Sequence, residues 1–126
     1  MDKAQALHTF WSGFGLPAID EQSAYDTDTL EKLSITYPYI TYEAATSDLG
    51  DTLTLGADLW YDSTSWAGIE AKAAQIIDAL GRGGTVIPYT GGALWITHGA
   101  ARRMAAEVGF DVRRIHIDIN AEFLSA

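Results

Sequence analysis

Cysteine is absent from the 126-residue sequence. That removes disulfides, thiolate nucleophiles and cysteine-ligated metal sites together. It gives no support for an oxidising compartment, and the cytosol is the default expectation. Basic residues are also scarce, with 8 Lys and Arg against 17 Asp and Glu and a net charge of -9. A surplus of acid argues against a DNA-binding module, because phosphate binding rests on Lys and Arg. No stretch approaches the roughly 18–20 uninterrupted apolar residues that a membrane span needs. No basic start followed by an apolar run opens the chain, so no signal peptide is expected.

What is present suits one domain around one core. The apolar fraction of 48% is ordinary for a globular protein. Charge is unevenly placed. Residues 1–81 carry 13 acids and 3 bases (net -10), while residues 82–126 carry 4 acids and 5 bases, all Arg (net +1). Such asymmetry can support head-to-tail contacts between copies of one chain, or it can be ordinary surface variation.

Residues 3–12 read as a short helix, with Leu7, Phe10, Trp11 and Phe14 at helical spacing. Asp2 is placed to cap it, and Gly13 and Gly15 to stop it. Residues 16–34 break any period and read as a loop or an extended arm, of the kind that reaches a neighbouring subunit. Residues 35–45 are rich in β-formers, with Pro38 near the start or on an edge. Residues 46–51 have turn chemistry. Residues 52–61 alternate, with Leu53, Leu55, Ala57, Leu59 and Tyr61 on one face and Thr52, Thr54, Gly56, Asp58 and Trp60 on the other. The two runs pair best as an antiparallel hairpin.

The spacing of Trp66, Ile69, Ala73, Ile76, Ile77 and Leu80 predicts a helix over 66–80, with Ser65 as its N-cap. Gly81, Gly83 and Gly84 end it. Residues 85–89 and 93–97 flank Thr90-Gly91-Gly92 and read as a second hairpin. Residues 98–110 admit two readings, a short helix from Ala100 to Val108 or a long loop. Residues 112–123 form a last strand, with Ile115, Ile117, Ile119, Ala121 and Phe123 inward and Arg114, His116, Asp118, Asn120 and Glu122 outward. The expected class is α+β: an antiparallel sheet of about five strands, packed by the helix over 66–80 and a short N-terminal helix. No repeat or linker divides residues 1–126.

Catalytic motifs do not emerge. His8, His98 and His116 fall in different elements, and none pairs with another at helical spacing. Gly81-Arg82-Gly83-Gly84 follows a helix rather than preceding one, so a helix end explains it better than a phosphate loop. Ser63-Thr64-Ser65 lacks the glycines of a nucleophile elbow, and capping explains it with less. Asp51, Asp58 and Asp62 could be read as a carboxylate set, yet an exposed sheet face is plainer. The expectation is a protein that assembles rather than an enzyme, with no catalytic, cofactor-binding or metal residues. Trp60 is the candidate for a subunit interface, since a large aromatic opposite the Leu series calls for cover. Arg102, Arg103, Arg113 and Arg114 join it as candidates for a subunit boundary.

Three stretches carry a family likeness. They are Tyr37-Pro38-Tyr39-Ile40-Thr41-Tyr42-Glu43, the run from Leu59-Trp60-Tyr61-Asp62 through Trp66 into Ile69-Glu70-Ala71-Lys72-Ala73, and Arg113-Arg114-Ile115-His116-Ile117-Asp118-Ile119-Asn120-Ala121-Glu122-Phe123-Leu124. With the glycine-centred hairpin before Trp95, their order resembles the tail-terminator, or minor capsid, proteins of long-tailed bacteriophage necks. The resemblance implies a ring, usually of six copies, at the head-proximal end of the tail tube. Such a ring ends tube growth and joins the tube to the head-closure proteins, and DNA passes through its lumen without specific binding. It also implies a place at the head–tail junction of a virion assembled in the host cytoplasm. An acidic wall suits DNA that must slide, and cyclic closure needs one patch to meet a different patch. The alternatives are another neck connector, such as a head-closure or tail-completion protein, and a small cytosolic enzyme or ligand-binding domain using His98, His116 and acidic residues.

Overall fold

The computed structural model describes residues 1–20, 37–44, 52–62, 65–104 and 112–125. The expectations for residues 21–36, 45–51 and 105–111 lie outside them. The elements in chain order are α1 (Lys3–Ser12), β1 (Ala18–Asp20), β2 (Tyr39–Tyr42), β3 (Thr52–Tyr61), α2 (Ala67–Leu80), β4 (Thr85–Tyr89), β5 (Gly92–Met104) and β6 (Arg113–Ser125). The strands form one sheet in the order β1-β2-β3-β6-β5-β4.

Strict alternation explains the centre of this sheet. β3 and β6 pair antiparallel over ten residues, from Thr52 opposite Glu122 to Tyr61 opposite Arg113. Leu55, Ala57 and Leu59 on β3 and Ile115, Ile117, Ile119, Ala121 and Phe123 on β6 are buried on one face. The pleat therefore sends every second residue to the core and the rest outward. β2 pairs antiparallel with β3, as expected, with Ile40 opposite Leu59.

Helix α2 lies on the inner face and buries Ile69, Ala73, Ile76 and Leu80 of the predicted stripe, with Trp66 and Ile77 half-buried against the core. Its start differs by one residue. Trp66 occupies the cap position without a side-chain capping bond, and Ser65 Oγ takes the Ala67 N–H at 3.1 Å. Ser65 thus satisfies an orphan donor from one position further out. Helix α1 begins with a full capping box, in which the Asp2 carboxylate accepts from the Gln5 N–H and the Gln5 side chain accepts from the Asp2 N–H, both at 2.8 Å. It buries Ala6, Leu7, Phe10 and Trp11. Lys72 on α2 ties the helices together by donating to the Phe14 carbonyl at 2.8 Å.

The sheet departs from expectation in three ways. It has six strands, not about five, and it is mixed: β1 runs parallel to β2, with Ala18 opposite Ile40. Residues 18–20 are therefore strand, within the span expected to be loop or arm. The segment from His98 to Met104 is neither helix nor loop but the second half of β5. A bulge between His98 and Ala101 hides it from periodicity analysis, because the extra residue flips the side-chain phase. Gly99 is required there, since a Cβ would stand 2.6 Å from the Asp118 carbonyl oxygen. The third departure is the place of α1. It packs against β1 at one edge and against β4 and β5 at the other, so the sheet is curled and α1 spans its two edges. The Met1 carbonyl accepts from the Thr90 N–H at 2.7 Å and anchors that span.

Candidate assembly surface

The outer face of the sheet is built from rows of paired residues. The first row is Tyr39, Trp60 and Arg114 across β2, β3 and β6. Tyr39 stacks on Trp60 with ring centroids 6.3 Å apart and 22° between planes, and the Arg114 guanidinium lies 5.2 Å from the Trp60 ring. Tyr37 extends the ladder at 5.2 Å from Tyr39. Trp60 Nε1 donates to Thr41 Oγ1 at 2.9 Å, which satisfies both polar groups where Thr41 is buried.

The second row is Thr41, Asp58, His116 and Arg102. His116 is clamped between two carboxylates, with Nδ1 3.0 Å from Asp58 Oδ1 and Nε2 2.8 Å from Asp118 Oδ1. Ionised carboxylates only accept, so a ring with N–H on both nitrogens satisfies both partners, whereas a neutral ring satisfies one. Arg102 closes on Asp118 at 3.4 Å and Arg114 on Asp58 at 3.8 Å. The result is an alternating chain, Arg102–Asp118–His116–Asp58–Arg114, across three strands. Gly56 makes room for it, because a Cβ there would stand 2.6 Å from His116 Cε1.

The five interface candidates therefore divide between two places. Trp60, Arg102 and Arg114 lie on the outer face. Arg103 and Arg113 gather at the start of α2, where their guanidinium groups lie 4.5 Å and 5.5 Å from the Trp66 ring. Arg103 also donates to Glu70 at 2.6 Å. Strand alternation produces this division, and the bulge sets its phase in β5. It turns Arg102 toward the outer face, opposite His116, and Arg103 toward the helix side, opposite Ile115.

Sequence reasoning placed His116 on the outward face of the last strand and missed its clamp. The alternation of Arg114, His116 and Asp118 was visible, but the register that brings Asp58 opposite His116 was not. His98 pairs with Ile119, so register assigns it to the helix-bearing face, away from His116. The register therefore does not bring the two together. Among the described residues no three His, Asp or Glu side chains are grouped to hold a metal ion, and no helix is long and apolar enough to cross a membrane. On the core side, burial pushes the Tyr42 hydroxyl up to about 12, and the charge of Asp20 adds to the shift. That hydroxyl lies 2.9 Å from Nδ1 of His8.

No family model and no curated protein matches the chain. Among solved structures, a chain from the virion of the native gene transfer agent particle matches with a TM-score of 0.50. The match has 20% identity and covers 81% of this chain and 89% of that chain. The two share a fold. At that identity the likeness speaks to architecture.

Proposed function

We propose that this chain is a structural subunit of a phage-like virion. More specifically, it is a tail terminator that forms a ring, of six copies in the usual arrangement, capping the tail tube and joining it to the head-closure proteins. The observation that carries this reading is the shared fold with a gene transfer agent virion chain across 81% of the sequence. The surface chemistry supports it. The outer face offers a ladder of Tyr37, Tyr39, Trp60 and Arg114, residue types that dominate binding hot spots. The net charge of -9 suits a lumen through which DNA slides without being held.

Mass photometry and negative-stain imaging of the purified protein test the reading. The expected outcome is a discrete ring with an axial hole that binds the ends of tail tubes. Rings that bind only the head side would make the chain a different neck connector. A monomer at every concentration, alone and with tube ends present, would overturn the assembly reading.

A further inference from the structure

The chain has four tryptophans, and two of them share one arrangement. Trp60 carries the Arg114 guanidinium at 5.2 Å beside the Asp58 carboxylate. Trp66 carries the Arg103 guanidinium at 4.5 Å beside the Glu70 carboxylate. In each case an aromatic face and an acid together receive a cation. Trp11 is fully buried.

Trp95 has the first two parts of this arrangement and lacks the third. It is 38% exposed. Its indole is held in place, with Nε1 donating to the Gly83 carbonyl at 2.9 Å. Glu122 sits directly opposite it on β6, on the same outer face. Between that row and the next lies a cavity of about 230 Å³, lined by Thr52, Trp95, Thr97, Asn120, Ala121 and Glu122. Hydroxyls, an amide and a carboxylate give it acceptors, and the indole gives it a π face. Among the described residues no guanidinium or ammonium group lies over the Trp95 ring.

We propose that this cavity receives an arginine from a second copy of the chain, and that the arginine is Arg102. The inference rests on the ring reading and deepens it by naming one contact. Arg102 is on the same outer face, its side chain is 57% exposed, and Asp118 holds it at 3.4 Å along one edge. It cannot reach its own Trp95. Their partners on β6, Glu122 and His116, are six positions apart, roughly 20 Å at about 3.3 Å per residue. The cationic donor and the acidic, aromatic acceptor therefore lie at opposite ends of one face. Such a placement gives charge complementarity between the acceptor of one copy and the donor of the next, a contact a ring can use.

The test is the assembly equilibrium of wild type against Trp95→Leu, Glu122→Gln and Arg102→Gln, read by sedimentation and mass photometry, with circular dichroism to confirm folding. Each single variant should weaken subunit association by about tenfold. Combining Trp95→Leu with Arg102→Gln should cost little more than the worse single change, because both remove one contact. The swap of Glu122→Arg with Arg102→Glu should recover part of the loss. Arg82→Ala, in the turn beside Trp95, should change nothing, and a loss there would assign the cavity to the chain's own Arg82 and overturn the proposal. Folded variants that form rings as wild type does would overturn the cavity contact and leave the ring reading standing. A wild type that never self-associates would overturn both.

Discussion

Alternate residues of β3 and β6 feed two faces with opposite chemistry. The inner face is Leu, Ile, Ala and Phe under two helices. The outer face is Trp, Arg, His and Asp in cross-strand rows. The backbone is common to both, so the difference isolates what side chains contribute. Inward, burial is non-directional and scales with area. Outward, each group is held by a partner of matched geometry, and its worth depends on that partner being present.

This contrast can be broken most forcefully from the inside. Trp11→Ala removes a fully buried ring from the helix that spans the sheet edges. A loss of about 3–5 kcal/mol is expected in urea unfolding. A loss below about 1 kcal/mol would mean that α1 is not part of the core. From the outside, His116→Ala leaves Asp58 and Asp118 facing each other without the ring between them. The expected cost is about 1–2 kcal/mol, larger at low ionic strength. If the variant melts as wild type does, the clamp contributes nothing to stability.

The smallest effect appears only in alkali. Tyr42 ionises near 10 when unfolded and near 12 in the fold. Between those values the unfolded state has lost its proton while the folded state keeps it, so stability falls as pH rises from 10 to 12. Tyr42→Phe should flatten that limb, and thermal melts across the range would show it. An unchanged slope would assign the alkaline loss to other groups.

Much of the fold is legible in the sequence where one period runs unbroken. The stripe from Ile69 to Leu80 and the alternation through β3 and the inner residues of β6 require no tertiary knowledge. Legibility ends where a local rule is interrupted. The second half of β5 is obscured by the bulge around Gly99, and by Gly, Ala and Arg, which show no alternation of polarity. β1 has three residues, too few for any period, and its parallel partner lies about twenty residues away. For the outer face, sequence supplied the residues but not their neighbours. Sequence marks Trp60, Arg102 and Arg114 as interface candidates, and the register adds partners for them within the same chain, Tyr39, Asp118 and Asp58. Pairing across strands is a property of register, and register is fixed only when the whole inner face is satisfied at once.

The position of β6 bears on how the protein is made. It lies between β3 and β5, and among the described residues no other strand joins β1–β3 to β4–β5. While a ribosome is still upstream of residue 113, the emerging chain holds two separate pieces of sheet with no shared backbone pairing. Helix α1 must likewise wait for β4 before Met1 can meet Thr90. Closure of the sheet is thus deferred until β6 has emerged, with its long-range pairings made late and together. A chain cut short before β6 lacks the strand that holds β3 to β5.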